Sequence, residues 1–130
     1  MKPIVESPLR MIRCFYTEVS VKANISGSIK NECELLACAT HEKSNAVGLR
    51  VTLGSKRGDC PLFAYEINVH IVGQFESVFP TKMSKKKRDY FVKSNGAGVL
   101  FGMARDMITT ITSKQAHGSI VLPIVQPAYL

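Results

Sequence analysis

Alternating apolar and polar residues dominate the first half of the chain. From residue 15 the odd positions are apolar or small, while Glu18, Ser20 and Lys22 occupy even positions. A period of two is typical of a β-strand with one buried and one solvated face. The predicted buried face of this first strand carries Phe15, Thr17, Val19, Val21 and Ala23.

Three further strands are predicted before residue 75. Residues 32–40 alternate less regularly and contain good helix formers, but we favour a strand there. Residues 47–53 and 63–71 alternate clearly and are rich in β-branched and aromatic residues. The segment 54–59 between them has the glycines and polar residues of a hairpin connection, which makes these two strands antiparallel.

The period changes to that of a helix after residue 95. One apolar stripe with the spacing of an α-helix face contains Leu100, Met103, Ala104, Met107, Ile108 and Ile111. Ser94 and Asn95 are the predicted caps, and Pro123 and Pro127 predict an extended tail. The predicted fold class is α+β, a four-stranded antiparallel sheet followed by one long helix, in a single domain over residues 1–130.

The order of these segments and their amino-acid sequences resemble those of the SecB family of protein-export chaperones. Residues 13–21 are similar to the first strand of that family, residues 49–52 to its third strand and residues 65–67 to its fourth. Residues 100–109 resemble the opening of its first helix, and residues 120–124 resemble the segment that follows.

The resemblance implies an ATP-independent holdase that binds non-native polypeptides. SecB-like proteins act in the cytoplasm in protein export, where SecA is their partner, or serve an antitoxin in toxin–antitoxin systems. The implied assembly is a homodimer or a homotetramer built as a dimer of dimers, with no cofactor, no metal and no enzymatic activity. The chain stops where the family has a second helix and a polar tail, so we expect a short form.

The resemblance also implies three sets of site residues. The expected SecA-docking surface carries Glu18, Lys22, Ala64 and Glu66, although Lys22 reverses an expected charge and Ala64 is small. The expected client groove carries Phe15, Tyr16, Phe63, Tyr65 and Phe75. The expected oligomer interface carries Ile67, Val69, Leu100, Met103, Met107, Ile108 and Ile111.

Positive charge is concentrated in one place. The net charge is +7, and the run from Lys82 to Arg88 holds five basic residues. We interpret this run as a solvated loop. The alternative function is a small basic nucleic-acid-binding domain that uses this run together with Tyr90 and Phe91.

Other chemistry finds little support in the sequence. Cys33, Cys38, His41 and Cys60 lack the paired spacing of a zinc site, and Gly96-Ala97-Gly98 lacks the βαβ context of a nucleotide loop. The N-terminus lacks the apolar core of a signal peptide, and no apolar run reaches the roughly 20 residues of a membrane span. We therefore expect a cytoplasmic protein with reduced cysteines.

Overall fold

Four long strands and one long helix form the fold. The computed structural model describes residues 9–23, 35–43, 45–54, 56–57, 60–61, 65–77 and 83–125. In chain order the elements are β1 (Leu9–Ala23), β2 (Leu35–Lys43), β3 (Ala46–Leu53), β4 (Lys56–Arg57), β5 (Cys60–Pro61), β6 (Tyr65–Ser77) and α1 (Lys85–Thr112). The predicted α+β class is confirmed.

The long strands form one antiparallel sheet in the order β1-β6-β3-β2. The pairing of β3 with β6 confirms the predicted antiparallel pair. The short strands β4 and β5, which lie between β3 and β6 in the chain, pair with each other in a separate two-stranded ribbon. Gly54 follows the last residue of β3 and has a φ of 102°. A Cβ there would come within 2.7 Å of the Tyr65 carbonyl oxygen. Only glycine suits this corner of the sheet.

The core lies between one face of the sheet and the helix. The predicted alternation is confirmed in β3 and β6, whose inward residues are buried, and in β2, where Ala39 is buried and Leu35 and Ala37 are half-buried. Cys33 and Phe63 lie outside the described residues. The most deeply buried inward side chains of the two central strands are Val47, Leu49, Val51, Tyr65, Val69 and Ile71. Burial on this scale is the main source of stability in a fold of this size.

The predicted facing of β1 is wrong at Phe15 and Thr17. The register shifts between Met11 and Arg13 and again between Tyr16 and Glu18, so one extra residue sits at each place. These β-bulges change which positions face inward, because each adds a residue without a partner. The residues of β1 paired with the inward face of β6 are Met11, Cys14, Tyr16, Val19, Val21 and Ala23.

The helix begins ten residues before the predicted caps, so the predicted caps are wrong. Ser84 is the N-cap, and its side chain accepts a hydrogen bond of 3.3 Å from the backbone N–H of Lys87. Asn95 lies inside the helix, where its side-chain nitrogen donates to the Phe91 carbonyl at 2.9 Å. Burial of Val92, Gly96 and Ala97 against the sheet stabilises the helix across glycines that sequence propensity disfavours.

Two glycines bring the helix close to the sheet. A Cβ on Gly96 would come within 3.0 Å of the Phe75 ring and 3.1 Å of Val47. A Cβ on Gly73 would come within 2.9 Å of the same ring and 3.0 Å of Leu100. The Phe75 ring therefore occupies space that larger residues at these two positions would take.

The chain after the helix folds back along it. The helix ends at Thr112, and the Tyr65 hydroxyl then accepts from the His117 N–H at 3.0 Å and donates to the Gly118 carbonyl at 2.7 Å. Arg105 donates to the Leu122 carbonyl at 3.0 Å, and Leu122 is buried. As predicted for an irregular tail, residues 118–125 form no helix or strand.

Candidate functional site

Strand β1 is the part of the sheet that the helix covers least. The helix lies mainly over β3 and β6, and β1 is at the edge beyond β6. The inward-facing Met11 and Val19 of β1 are 38% and 42% exposed, whereas the inward-facing Ile71 of β6 is 0% exposed. An apolar face is therefore left open beside the helix.

One helical position connects β1 to α1. The Tyr16 hydroxyl donates to the Met103 carbonyl at 3.2 Å, and the Cys14 Sγ lies 3.7 Å from the Met103 Sδ. Burial raises the pKa of Tyr16, and the nearby Cys14 and Asp106 raise it further. These contacts hold the edge strand against the helix in the middle of β1.

Apolar residues that keep exposed surface lie on β1 to either side of this connection and on the facing part of α1. We define the apolar strip as Met11, Val19, Val99 and Met103. Val99 is 47% exposed and lies four residues before Met103, so both occupy one face of the helix. Methionine is flexible and polarisable, which lets it fit ligands of varied shape. Sequence reasoning named Met103 but missed Met11 and Val99, because the first strand was predicted to start later and Val99 lies off the main stripe.

The free edge of β1 borders the apolar strip. Its other edge pairs with β6, and from Met11 to Ala23 no described strand lies on the outer side. An edge strand presents backbone N–H and C=O groups that an added strand can bind. The site therefore combines apolar side chains with a row of main-chain donors and acceptors.

The outer face of the sheet carries charged residues of both signs, beside exposed apolar side chains such as Phe15 and Leu36. Arg50 donates to Glu18 at 3.0 Å and to the Asn68 side chain at 2.7 Å. Lys22 stands opposite Glu66 in the register of β1 and β6. Ala64, the remaining expected docking residue, lies outside the described residues. The three described docking positions thus share one face, which is not uniformly acidic.

A hydroxyl–imidazole contact lies next to this group. The bulge residue Thr17 forms a hydrogen bond through its hydroxyl with His70 Nδ1. On the same face the Arg13 guanidinium lies 5.4 Å from the centre of the Phe15 ring, and its Nε donates to Gln74 at 2.8 Å. These contacts order the outer side of β1 on both sides of Tyr16.

The four described residues of the expected groove do not share one exposed surface. Phe15 and Tyr16 lie on opposite faces of β1, since they pair with Val72 and Ile71 respectively. Tyr65 and Phe75 are buried in the core of the chain itself. Phe63 lies outside the described residues. Among the described groove residues, Tyr16 is half-buried beside the apolar strip, and the buried Phe75 pairs with Met11.

The expected oligomer residues divide into two groups. Ile67, Val69, Leu100 and Ile108 are buried by contacts within one chain. Met103, Met107 and Ile111 are half-buried and so retain surface that another chain can reach. Sequence periodicity identifies the stripe but not how much of it the sheet already covers.

The basic run does not form the predicted loop over its described part. Lys85, Lys86, Lys87 and Arg88 form the exposed first turn of α1, and Lys82 lies outside the described residues. Within residues 83–125 and the other described segments, no group of three His, Cys, Asp or Glu side chains has the arrangement of a metal site. No helix in the described part of the chain has the length and apolarity needed to span a membrane.

Comparison with known proteins supports the fold. No protein-family model matches the chain, and no curated protein sequence matches it. Among solved structures, it is similar to the Mycobacterium tuberculosis Rv1957 SecB-like chaperone in complex with a ChAD peptide from the Rv1956 HigA1 antitoxin. The TM-score is 0.59 at 9% identity, and the match covers 90% of this chain and 87% of that one. The chain thus has a SecB-like fold.

A second solved structure is a protein of unknown function from Streptococcus agalactiae. It matches with a TM-score of 0.40 at 11% identity and covers 88% of this chain and 96% of that chain.

Proposed function

We propose that this protein is an ATP-independent chaperone that holds non-native polypeptide along the apolar strip. The observation that carries the proposal is the open strip of Met11, Val19, Val99 and Met103 beside a strand edge. The SecB-like fold supports it, because the similar M. tuberculosis protein is a chaperone solved with a peptide.

The strip suits an extended chain better than a folded protein. An unfolded segment can place apolar side chains against the strip and bind the edge of β1 through its own backbone. Main-chain hydrogen bonds do not depend on sequence, and soft apolar contacts depend on it weakly. The combination accepts many sequences, as a holdase requires.

Binding of this kind needs no nucleotide. Apolar burial stabilises the complex by about 25 cal/mol for each Å² removed from water. When a client folds, it buries its apolar segment and can no longer bind. The concentration of free unfolded client then falls, and bound client dissociates by mass action. The proposed activity is therefore holding, without catalysis and without a cofactor.

An antitoxin-like client fits this chain better than general export through SecA. The similar M. tuberculosis structure contains an antitoxin peptide. On the outer face, Glu18 is engaged by Arg50 and Lys22 stands opposite Glu66, so these described docking positions carry no net negative charge. Electrostatic docking depends on complementary patches, and a balanced face provides little steering. Titration of the protein with SecA separates the two settings.

We test the strip with a reduced and carboxymethylated protein, which stays unfolded, as a fluorescent probe. The double variant Val19→Thr with Val99→Thr keeps side-chain shape but adds hydroxyls to the strip. We expect its Kd to rise by about fivefold, the factor for about 1 kcal/mol of lost apolar burial. Leu36, which is 55% exposed on the other face, supplies the control Leu36→Thr, for which binding stays within about twofold.

Two results would contradict the proposal. The first is a wild-type protein that ignores the unfolded probe. The second is equal binding by the strip variant and by Leu36→Thr, which would place the client elsewhere on the surface.

A further inference from the structure

A second apolar surface lies at the beginning of helix α1. A cleft of about 430 Å³ is lined by Met83, Lys86, Lys87, Tyr90 and Phe91. Tyr90 is 66% exposed, although an aromatic ring gains from burial. The cleft is about two and a half helical turns before Val99, so it is separate from the apolar strip.

Helical spacing gives the cleft an apolar floor and a charged rim. Lys86 and Tyr90 are four residues apart, as are Lys87 and Phe91, so each lysine stem shares a face with an aromatic ring. The lysine methylenes add to the apolar lining while the ammonium groups reach solvent. A ligand seated between the rings would have positive charge around it.

Asp89, which follows Arg88 in the helix, offsets the charge of this turn only in part. Lys85, Lys86, Lys87 and Arg88 are all exposed, and the first turn of the helix contains no acidic residue. Over the described residues, none of the four pairs with a carboxylate. Four adjacent positive charges repel one another, and an anionic partner would relieve that repulsion.

We infer that this cleft binds an acidic peptide segment that carries one apolar anchor residue. The cleft has room for a large apolar side chain, and the surrounding ammonium groups suit carboxylates on either side of it. The inference does not rest on the proposed holdase activity, because the residues and the ligand chemistry are different.

A peptide fits the details better than a nucleic acid. The cations that line the cleft are Lys86 and Lys87, and Arg88 is not among the lining residues. Lysine is a point charge without the planar fork that binds phosphate in a bidentate way. Single strands are usually bound by several exposed aromatic rings in succession, and Tyr90 is the exposed ring of this described turn.

The probe is a fluorescent peptide of twelve residues with one central Phe and three Asp on each side. Two matched peptides change the Phe to Ser or all Asp to Asn. We expect the parent peptide to bind at least about fivefold more tightly than either, because both the anchor and the charge contribute. Equal binding of the Phe and Ser peptides would overturn the assignment of the cleft.

Charge reversal on the protein locates the site. Lys86→Glu should weaken binding of the parent peptide by about fivefold. Lys114→Glu makes the same charge change at an exposed position beyond the other end of the helix, and binding should stay within about twofold. Thermal unfolding checks that both variants fold. Equal losses in the two variants would indicate a response to net charge alone and overturn the inference.

Two further measurements separate this surface from its rivals. A single-stranded RNA of twelve uridines should bind more weakly than the acidic peptide, and tighter RNA binding would overturn the inference in favour of a nucleic-acid surface. The double variant Val19→Thr with Val99→Thr should bind the acidic peptide normally. Loss of acidic-peptide binding in that variant would assign the peptide to the apolar strip instead.

Discussion

At the scale of single residues, Tyr16 connects the edge strand to the helix. Its hydroxyl donates to the Met103 carbonyl at 3.2 Å while its ring is half-buried beside Cys14. Burial first, and then the nearby Cys14 and Asp106, raise the pKa of this hydroxyl. The protonated form is the one that can donate, so the contact depends on pH at alkaline values.

We predict that Tyr16→Phe removes part of the alkaline sensitivity of the fold. Because the folded protein holds this proton more tightly than the unfolded chain, the stability from Tyr16 is complete below about pH 10 and is lost as pH rises through the folded pKa. At pH 8 the variant should unfold about 1 kcal/mol more easily than wild type. Denaturant titrations from pH 8 to pH 11 should show this difference shrinking.

The exposed Tyr90 provides the matched control for that titration. Tyr90→Phe removes a hydroxyl from a ring that is 66% exposed, so its stability should follow the wild type at every pH. A constant gap between Tyr16→Phe and wild type up to pH 11 would contradict the prediction.

At the scale of elements, two glycines of α1 have contrasting environments. Gly96 faces Phe75 and Val47 at distances that leave little room for a methyl group. Gly102 has no atom within 4 Å of the position that a Cβ would occupy. The first glycine permits close packing, while the second only weakens the helix.

We predict opposite effects for alanine at these positions. Gly102→Ala should raise the free energy of unfolding by about 0.5–1 kcal/mol, because alanine is the better helix former. Gly96→Ala gains the same propensity but should lower stability by about 1–2 kcal/mol, because the buried Phe75 ring must move. Thermal denaturation of both variants checks the contrast, and a stabilising Gly96→Ala would show that the ring yields freely.

Sequence patterns predicted the elements better than their ends. The alternation of β3 and β6 identified Leu49 and Ile71 as core residues, because a strand buried on one face has a strict period. The start of α1 was missed because Gly96 and Gly98 resemble a helix break, and packing against Phe75 overrides that propensity. The bulge at Thr17 was missed because an unpaired residue is defined by its partner strand.

At the scale of the whole molecule, one subunit leaves apolar surface uncovered at several places. Much of the helix stripe is buried on its own sheet, as at Leu100 and Ile108, but Met107 and Ile111 keep part of their surface. We propose that these two residues contact another copy in a homodimer or homotetramer.

We predict that Met107→Glu lowers the molar mass measured by light scattering. A carboxylate placed in an apolar contact between subunits loses its hydration, and this cost opposes assembly. Asp106→Glu, next to it on the exposed side, is the control and should leave the mass unchanged. An unchanged mass for Met107→Glu, with the fold intact by circular dichroism, would exclude this position from the interface.

The site was less predictable than the fold. Aromatic residues such as Tyr65 and Phe75 looked suited to a groove, yet both fill the core, because sequence does not reveal which apolar residues remain exposed. The open strip at Met11 and Val99 arises from the position of β1 at the sheet edge, beyond the reach of the helix. That placement is a property of strand order, and local patterns do not encode it.

The two bulges of β1 predict the effect of single-residue deletions in this strand. The strand has 15 residues and β6 has 13, and the two extra residues are Ile12 and Thr17. Deleting both codons would leave every other side chain on its present side of the sheet. The local twist would change, because each bulge bends its strand and turns the free edge of β1 away from neighbouring molecules. Relatives that lack one codon at each of these two places should have a straighter edge strand, which pairs more readily with the edge strand of another copy.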